Sequence, residues 1–177
     1  MKKRLIAALL VVTATVAGLS RPSPAIDFVD PTAGPVTATG YASLSNLPQG
    51  GSAHLALEVQ IRAPWHVNAH NVTEDYLVPT DVAFELPPGV TLRGVVFPAG
   101  TEKTLSFSEA PLRLYDGTVY LGAAIDVAAD APAGETAVIA RITYQACDNE
   151  KCLLPETIET RIPVRISTAR EAVDLAH

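Results

Sequence analysis

Cys147 and Cys152 are the only two cysteines of the chain, and they stand five positions apart. Thiols at that spacing can close a small disulfide or exchange with a partner's, and exchange requires that an attacking thiolate reach one of the sulfurs. The four residues between them, Asp148, Asn149, Glu150 and Lys151, are all polar and predict an exposed loop, which Pro155 ends before the next strand. Upstream, Ile142, Tyr144 and Ala146 share one parity, and Arg141, Thr143 and Gln145 share the other. Continued to the strand end, that alternation puts Cys147 on the polar parity, leaning toward solvent.

A bridge between these cysteines encloses about six residues and contributes ~2 kcal/mol, against ~4–5 kcal/mol for one closing a hundred-residue loop. A β-sandwich gains more from a bridge that joins its two sheets. Lys151 favours the Cys152 thiolate, whereas Asp148 and Glu150 oppose it. Chemistry alone leaves two readings open, a structural disulfide and a redox-active pair.

The elements that must position the pair are strands. Leu55, Leu57, Val59 and Ile61 alternate with His54, Glu58, Gln60 and Arg62, as a half-buried strand requires. Val119, Leu121, Ala123, Ile125 and Val127 form a second such face, and Ile158, Ile162, Val164 and Ile166 a third. Weaker signals cover 36–45, 65–68, 80–86, 90–97 and 136–146. Turn residues separate them, as at Pro87-Pro88-Gly89 and Asp116-Gly117. About eight strands at this spacing predict an all-β antiparallel sandwich, with Pro163 at an edge or a bulge. Fourteen prolines and eleven glycines exclude a helical bundle. The one helix signal is in the tail, where Thr168 and Glu171 have capping-box spacing.

Lys2, Lys3 and Arg4 precede an apolar run from Leu5 to Leu19, and Ser23-Pro24-Ala25 offers small residues for cleavage. This pattern predicts a secretory signal peptide over 1–25, because the run is shorter than the ~20 apolar residues of a spanning helix. Cleavage near Ala25 would take the formal charge from −6 to −10. An acidic exported domain is expected to bind neither nucleic acid nor anionic lipid, and to have no stable membrane insertion. Outside the cytosol its cysteines can stay paired. The expected organisation is a signal peptide (1–25), an irregular lead-in (26–35), one domain (36–167) and a tail (168–177).

The stretch from Tyr144 through Gln145, Cys147 and Cys152 to Pro155 and Glu156 resembles the active-site segment of the amino-terminal periplasmic domain of the DsbD thiol–disulfide reductase family. Trp65-His66-Val67-Asn68-Ala69-His70-Asn71 with Asp75-Tyr76-Leu77-Val78-Pro79-Thr80 is similar to the family's early strands, and Leu114-Tyr115-Asp116-Gly117 to the segment after its cap loop. The resemblance covers roughly 50–166. It implies an immunoglobulin-like sandwich whose cysteine pair cycles between dithiol and disulfide. A membrane thiol reductase would donate two electrons, and periplasmic thioredoxin-fold proteins, such as disulfide isomerases or cytochrome c maturation factors, would accept them. It further implies that Cys152 forms the mixed disulfide and Cys147 resolves it. His66, Asn68 and Tyr144 would line the site, and a cap loop within about Thr101–Tyr115 would shield it, with Phe107 as the cover. The family's membrane reductase and terminal thioredoxin domains are not in this sequence, so the electrons would come from a separate membrane protein. The sequence departs from the family at His66 and Asn68, where aromatics are common, and at Leu154, where a second proline is common.

No cofactor or resident metal is expected. His66 and His70, four apart on a strand, would sit ~13 Å from each other, too far for one ion. A bend that joined them to the cysteines would instead make a Cu- or Zn-binding protein. Ser106 and Ser108 lack the sequence context of a hydrolase nucleophile. The leading expectation is an exported thiol–disulfide interchange domain acting as a thiol–disulfide oxidoreductase. The alternative is a non-catalytic sandwich, for binding or assembly, with a structural disulfide.

Overall fold

A computed structural model describes residues 34–168. The expected signal peptide, the lead-in as far as residue 33, and the tail from residue 169 with its helix signal lie outside the described residues. Among residues 34–168 there are twelve strands and no helix, so no helix there is long and apolar enough to cross a membrane.

The strands form three four-stranded sheets. The first takes the order β1 (Val36–Ala42), β3 (Ser52–Ile61), β9 (Gly117–Val127), β6 (Val90–Val96), paired antiparallel throughout. The second runs β2 (Asn46–Pro48), β12 (Glu156–Ser167), β10 (Gly134–Tyr144), β5 (Asp81–Glu85). Its β2–β12 pair is parallel. The strong alternations of the sequence become these strands. On β3, Leu55, Leu57, Val59 and Ile61 are buried, and on β9 Leu121, Ala123, Ile125 and Val127 are buried, while the intervening side chains are more exposed. They meet Val138, Ala140 and Ile142 of β10 and Ile162, Val164 and Ile166 of β12 in one core. Two sheets that bury one face against each other make the expected all-β, immunoglobulin-like sandwich.

Close approach of the sheets depends on Gly40 of β1. A Cβ there would fall 2.4 Å from Ile162 Cγ1 of β12, closer than packed carbons come. Pro163 is exposed, and the β10–β12 ladder runs through it without a break. β2 pairs β12 only from Arg165 to Ser167, so the proline sits on an edge flank, where its missing N–H leaves no gap in a ladder.

The third sheet, β11 (Ala146–Cys147), β4 (His66–Asn68), β8 (Leu112–Tyr115), β7 (Thr101–Lys103), is made of short strands. β4 and β11 touch only the weaker signals at 65–68 and 136–146, and β7 and β8 fall in none, because two to four residues cannot establish a period. This sheet carries the cysteines.

Candidate functional site

Cys147 is 0% exposed, which corrects the expectation that it leans toward solvent. The reason is local. The β10–β12 ladder ends at Tyr144, and β11 resumes at Ala146 on a different partner, β4. Gln145 falls at the junction, yet the alternation holds across it: Ile142, Tyr144 and Ala146 all enter the main core, and Cys147 takes the opposite face, which is covered by a second cluster instead of facing solvent. Ala146 and Cys147 are consecutive and both buried, Ala146 in the main core and Cys147 in a second cluster with Leu77, Leu105, Leu112 and Leu114. Cys152 is only partly buried against that cluster. The two sulfurs are joined, S–S 2.05 Å.

Gln145 holds the junction together. Its Oε1 accepts from Asn68 Nδ2 and from the Val78 backbone N–H, each at 3.3 Å, and its Nε2 donates to the Leu153 carbonyl at 3.1 Å. One amide thereby ties β4, the segment before β5 and the residue after Cys152. The Leu153 N–H also donates to the Ala146 carbonyl at 2.8 Å. The intervening loop is a tight turn: Asp148 Oδ1 accepts from the backbone N–H groups of Glu150 and Lys151, both at 2.8 Å. Those donors hold the Asp148 carboxyl below the usual aspartate range. Asn149, Glu150 and Lys151 are exposed, as their polarity predicts.

The segment before β8 lies against this loop. The Ser106 N–H donates to the Asn149 carbonyl at 3.2 Å, and the Ser106 hydroxyl donates to the same carbonyl. Leu105, 4% exposed, is the side chain of the segment that packs with Cys147. Phe107, expected as the cover, is 40% exposed.

The other candidate residues are placed as follows. His66 pairs directly with Cys147 across β4 and β11. Asn68 is fully buried, pairs with Leu114 of the cysteine cluster, and donates from Nδ2 to the Val78 carbonyl at 3.0 Å. Tyr144 belongs to the main core, with its hydroxyl donating to Glu156 Oε2 at 2.8 Å. Burial and that carboxylate raise the Tyr144 pKa well above its ordinary value. His66 and His70 are not on one strand, since β4 ends at Asn68; His70 instead stacks on Phe97 with centroids 3.7 Å apart. Among the described residues, no three His, Cys, Asp or Glu side chains gather to hold a metal ion. The sequence reading did not single out Gln145, Leu105, Ser106, Asn149, Lys103 or Asp116 as site residues. Only Gln145 carried a signal, as a lone amide between Tyr144 and Ala146.

Residues 35–163 match the family model described as thiol:disulfide interchange protein DsbD, N-terminal. No curated protein matches the chain. Among solved structures, it is similar to the N-terminal periplasmic domain of ScsB from Proteus mirabilis, at 13% identity and a TM-score of 0.46. That match covers 71% of this chain and 43% of the other, so the chain spans less than half of that protein's length. The major pilin subunit BcpA of Bacillus cereus is similar at 12% identity and a TM-score of 0.35, over 74% of this chain and 39% of that one.

Proposed function

Because the chain belongs to the family of the thiol:disulfide interchange protein DsbD N-terminal domain, we propose that it is an exported relay that passes two electrons through Cys147 and Cys152. The signal pattern over residues 1–25 supports export to the periplasm. A membrane thiol reductase reduces the pair, and thioredoxin-fold proteins of the same compartment, those of disulfide isomerisation or cytochrome c maturation among them, accept the electrons.

The observation that carries this reading is the unequal burial of the two sulfurs. Cys147 is sealed among four leucines, while Cys152 keeps part of its surface at the edge of a polar turn. An incoming thiolate attacks the sulfur it can reach. Attack on Cys152 gives a mixed disulfide there and releases Cys147, which then stays beside it as the resolving thiol. Leu154, 85% exposed and two residues from Cys152, offers an apolar contact for a docking partner. Leu105 packs against Cys147, the Ser106–Asn149 contact ties its segment to the turn, and His66 and Asn68 stand on the neighbouring strand β4.

The burial of Cys147 also suits a structural bridge, and one measurement separates the two readings. The purified chain is equilibrated in glutathione buffers of defined potential and its thiols are counted by alkylation. A midpoint in the range of exchanging proteins, roughly −120 to −270 mV, supports the relay, and one below about −300 mV overturns it. A Cys147→Ala chain should then trap thioredoxin-fold partners through Cys152.

A further inference from the structure

Cys147, His66 and Asp116 follow one another across neighbouring segments of the third sheet, and Lys103, opposite Leu112 in the ladder, reaches Asp116 with its ammonium. Cys147 of β11 stands opposite His66 of β4 in the ladder, and opposed residues on neighbouring strands present their side chains to the same face, with Cβ atoms ~4.5–5.5 Å apart. On the other side of β4 the ladder pairs Val67 with Tyr115, so His66 faces the next position, Asp116. Its Nδ1 lies 3.8 Å from Asp116 Oδ2, and that oxygen is 2.7 Å from Lys103 Nζ of β7. His66 Nδ1 is buried, and among the described residues it has no hydrogen-bond partner. The groups that face the imidazole are therefore Cys147 from β11, Asp116 from the corner between β8 and β9, and Lys103 from β7.

We propose that His66 is the proton relay of Cys147. The proposal rests on the pair being redox-active and assigns the proton that the exchange must move. Leu77, Leu105, Leu112 and Leu114 surround Cys147 and offer no proton acceptor. A bare thiolate in such a pocket is disfavoured by desolvation. When a partner is held on Cys152, the Cys147 thiol gives its proton to the His66 imidazole, and its sulfur attacks Cys152 Sγ. The Cys147–Cys152 bond forms, the Cys152–partner bond breaks, and the partner sulfur leaves with the electron pair and takes up a proton. The protein's two thiols are oxidised by two electrons and the partner's disulfide is reduced. In the reverse direction a donor thiol gives its proton to the imidazole as its sulfur attacks Cys152, Cys147 leaves as thiolate, and the imidazolium passes that proton to it. Burial, and next the Lys103 cation, hold the imidazole below its ordinary range against the opposing pull of Asp116. That balance favours the neutral imidazole, the form that can accept a proton.

The test uses the reduced chain and oxidised glutathione, with acid quenching and mass spectrometry to count the glutathionylated intermediate and the closed disulfide from pH 5 to 9. The wild-type closure rate should show a bend below pH 6.5, where the imidazole titrates. His66→Gln should slow closure at pH 7 ten- to a hundredfold, within the usual range of general acid–base effects, and remove the bend. The bend should move up in Lys103→Gln and down in Asp116→Asn; Lys103 is partly exposed, so its variant keeps the packing beside Cys147. A His66→Gln profile of wild-type shape, or a bend unmoved in Lys103→Gln, overturns the relay while leaving interchange itself standing. A wild-type chain that never exchanges with glutathione overturns the interchange reading and the relay with it.

Discussion

Ser106 is bonded to Asn149 through both its backbone N–H and its hydroxyl, and this joins the segment before β8 to the turn that holds the two cysteines. Leu105, next to it, fills the space against Cys147. The segment around Ser106 is thus held to the turn by hydrogen bonds and to Cys147 by apolar packing. Its neighbour Phe107 is left 40% exposed.

Ser106→Ala removes the hydroxyl donor and keeps the backbone one. A hydrogen bond contributes about 1 kcal/mol net, so the covered state should lose about fivefold in population relative to the open one. Reduction by dithiothreitol should speed up by about that factor, and amide exchange at 104–111 should quicken. An unchanged reduction rate would mean that the segment does not limit access.

The two thiols should differ in reactivity by far more than their chemistry suggests. In reduced single-cysteine chains, Cys152, left by Cys147→Ala, should be alkylated by iodoacetamide at least about tenfold faster than Cys147, left by Cys152→Ala, because only the partly exposed thiol of Cys152 meets reagent. Equal rates would show that reduction opens the leucine cluster.

Gln145→Ala leaves the Val78 N–H and the Leu153 carbonyl without the side-chain partner each has now. Both bonds are partly buried, and an unsatisfied buried group costs up to about 1–3 kcal/mol. The variant should lose roughly 5–10 °C in Tm, and the β10–β11 junction should exchange amide protons faster than β3 or β9. A loss confined to Tm, with the junction still protected, would place the effect elsewhere.

The lowered pKa of His66 makes stability depend on pH in a definite direction. Burial and Lys103 disfavour the imidazolium in the folded chain, so between the unfolded value near 6.5 and the lower folded value the unfolded chain binds more protons. This contribution is complete above about pH 6.5 and declines as the pH falls through that window. Tm measured from pH 7 down to 5 should therefore fall less steeply in His66→Gln than in wild type. Parallel curves would show that another group dominates.

Much of the fold was legible. β3, β9, β10 and β12 are long, and each buries one face, so period-two alternation located them within a few residues. β2, β7 and β8 were not, since three or four residues carry no period and take their conformation from partners. The cysteine pair and its polar turn were equally visible. Phe107 came as the cover from the family resemblance, and the side chain of that segment packed against Cys147 is Leu105, which carried no signal of its own.

The amino-acid sequence by itself determined which chemistry this protein can hold: two thiols at short spacing, a polar turn between them, and strands that must bury one face. The tertiary structure decided which sulfur is reachable and which titratable group faces the other. Parity gives the face a side chain takes, and Cys147 does take the face opposite Tyr144 and Ala146, but whether that face meets solvent is decided by what packs over it. Burial of Cys147 depends on leucines from three separate segments, and its pairing with His66 on a register between strands distant in the chain. Desolvation and proton transfer follow from those neighbours, which no local pattern specifies.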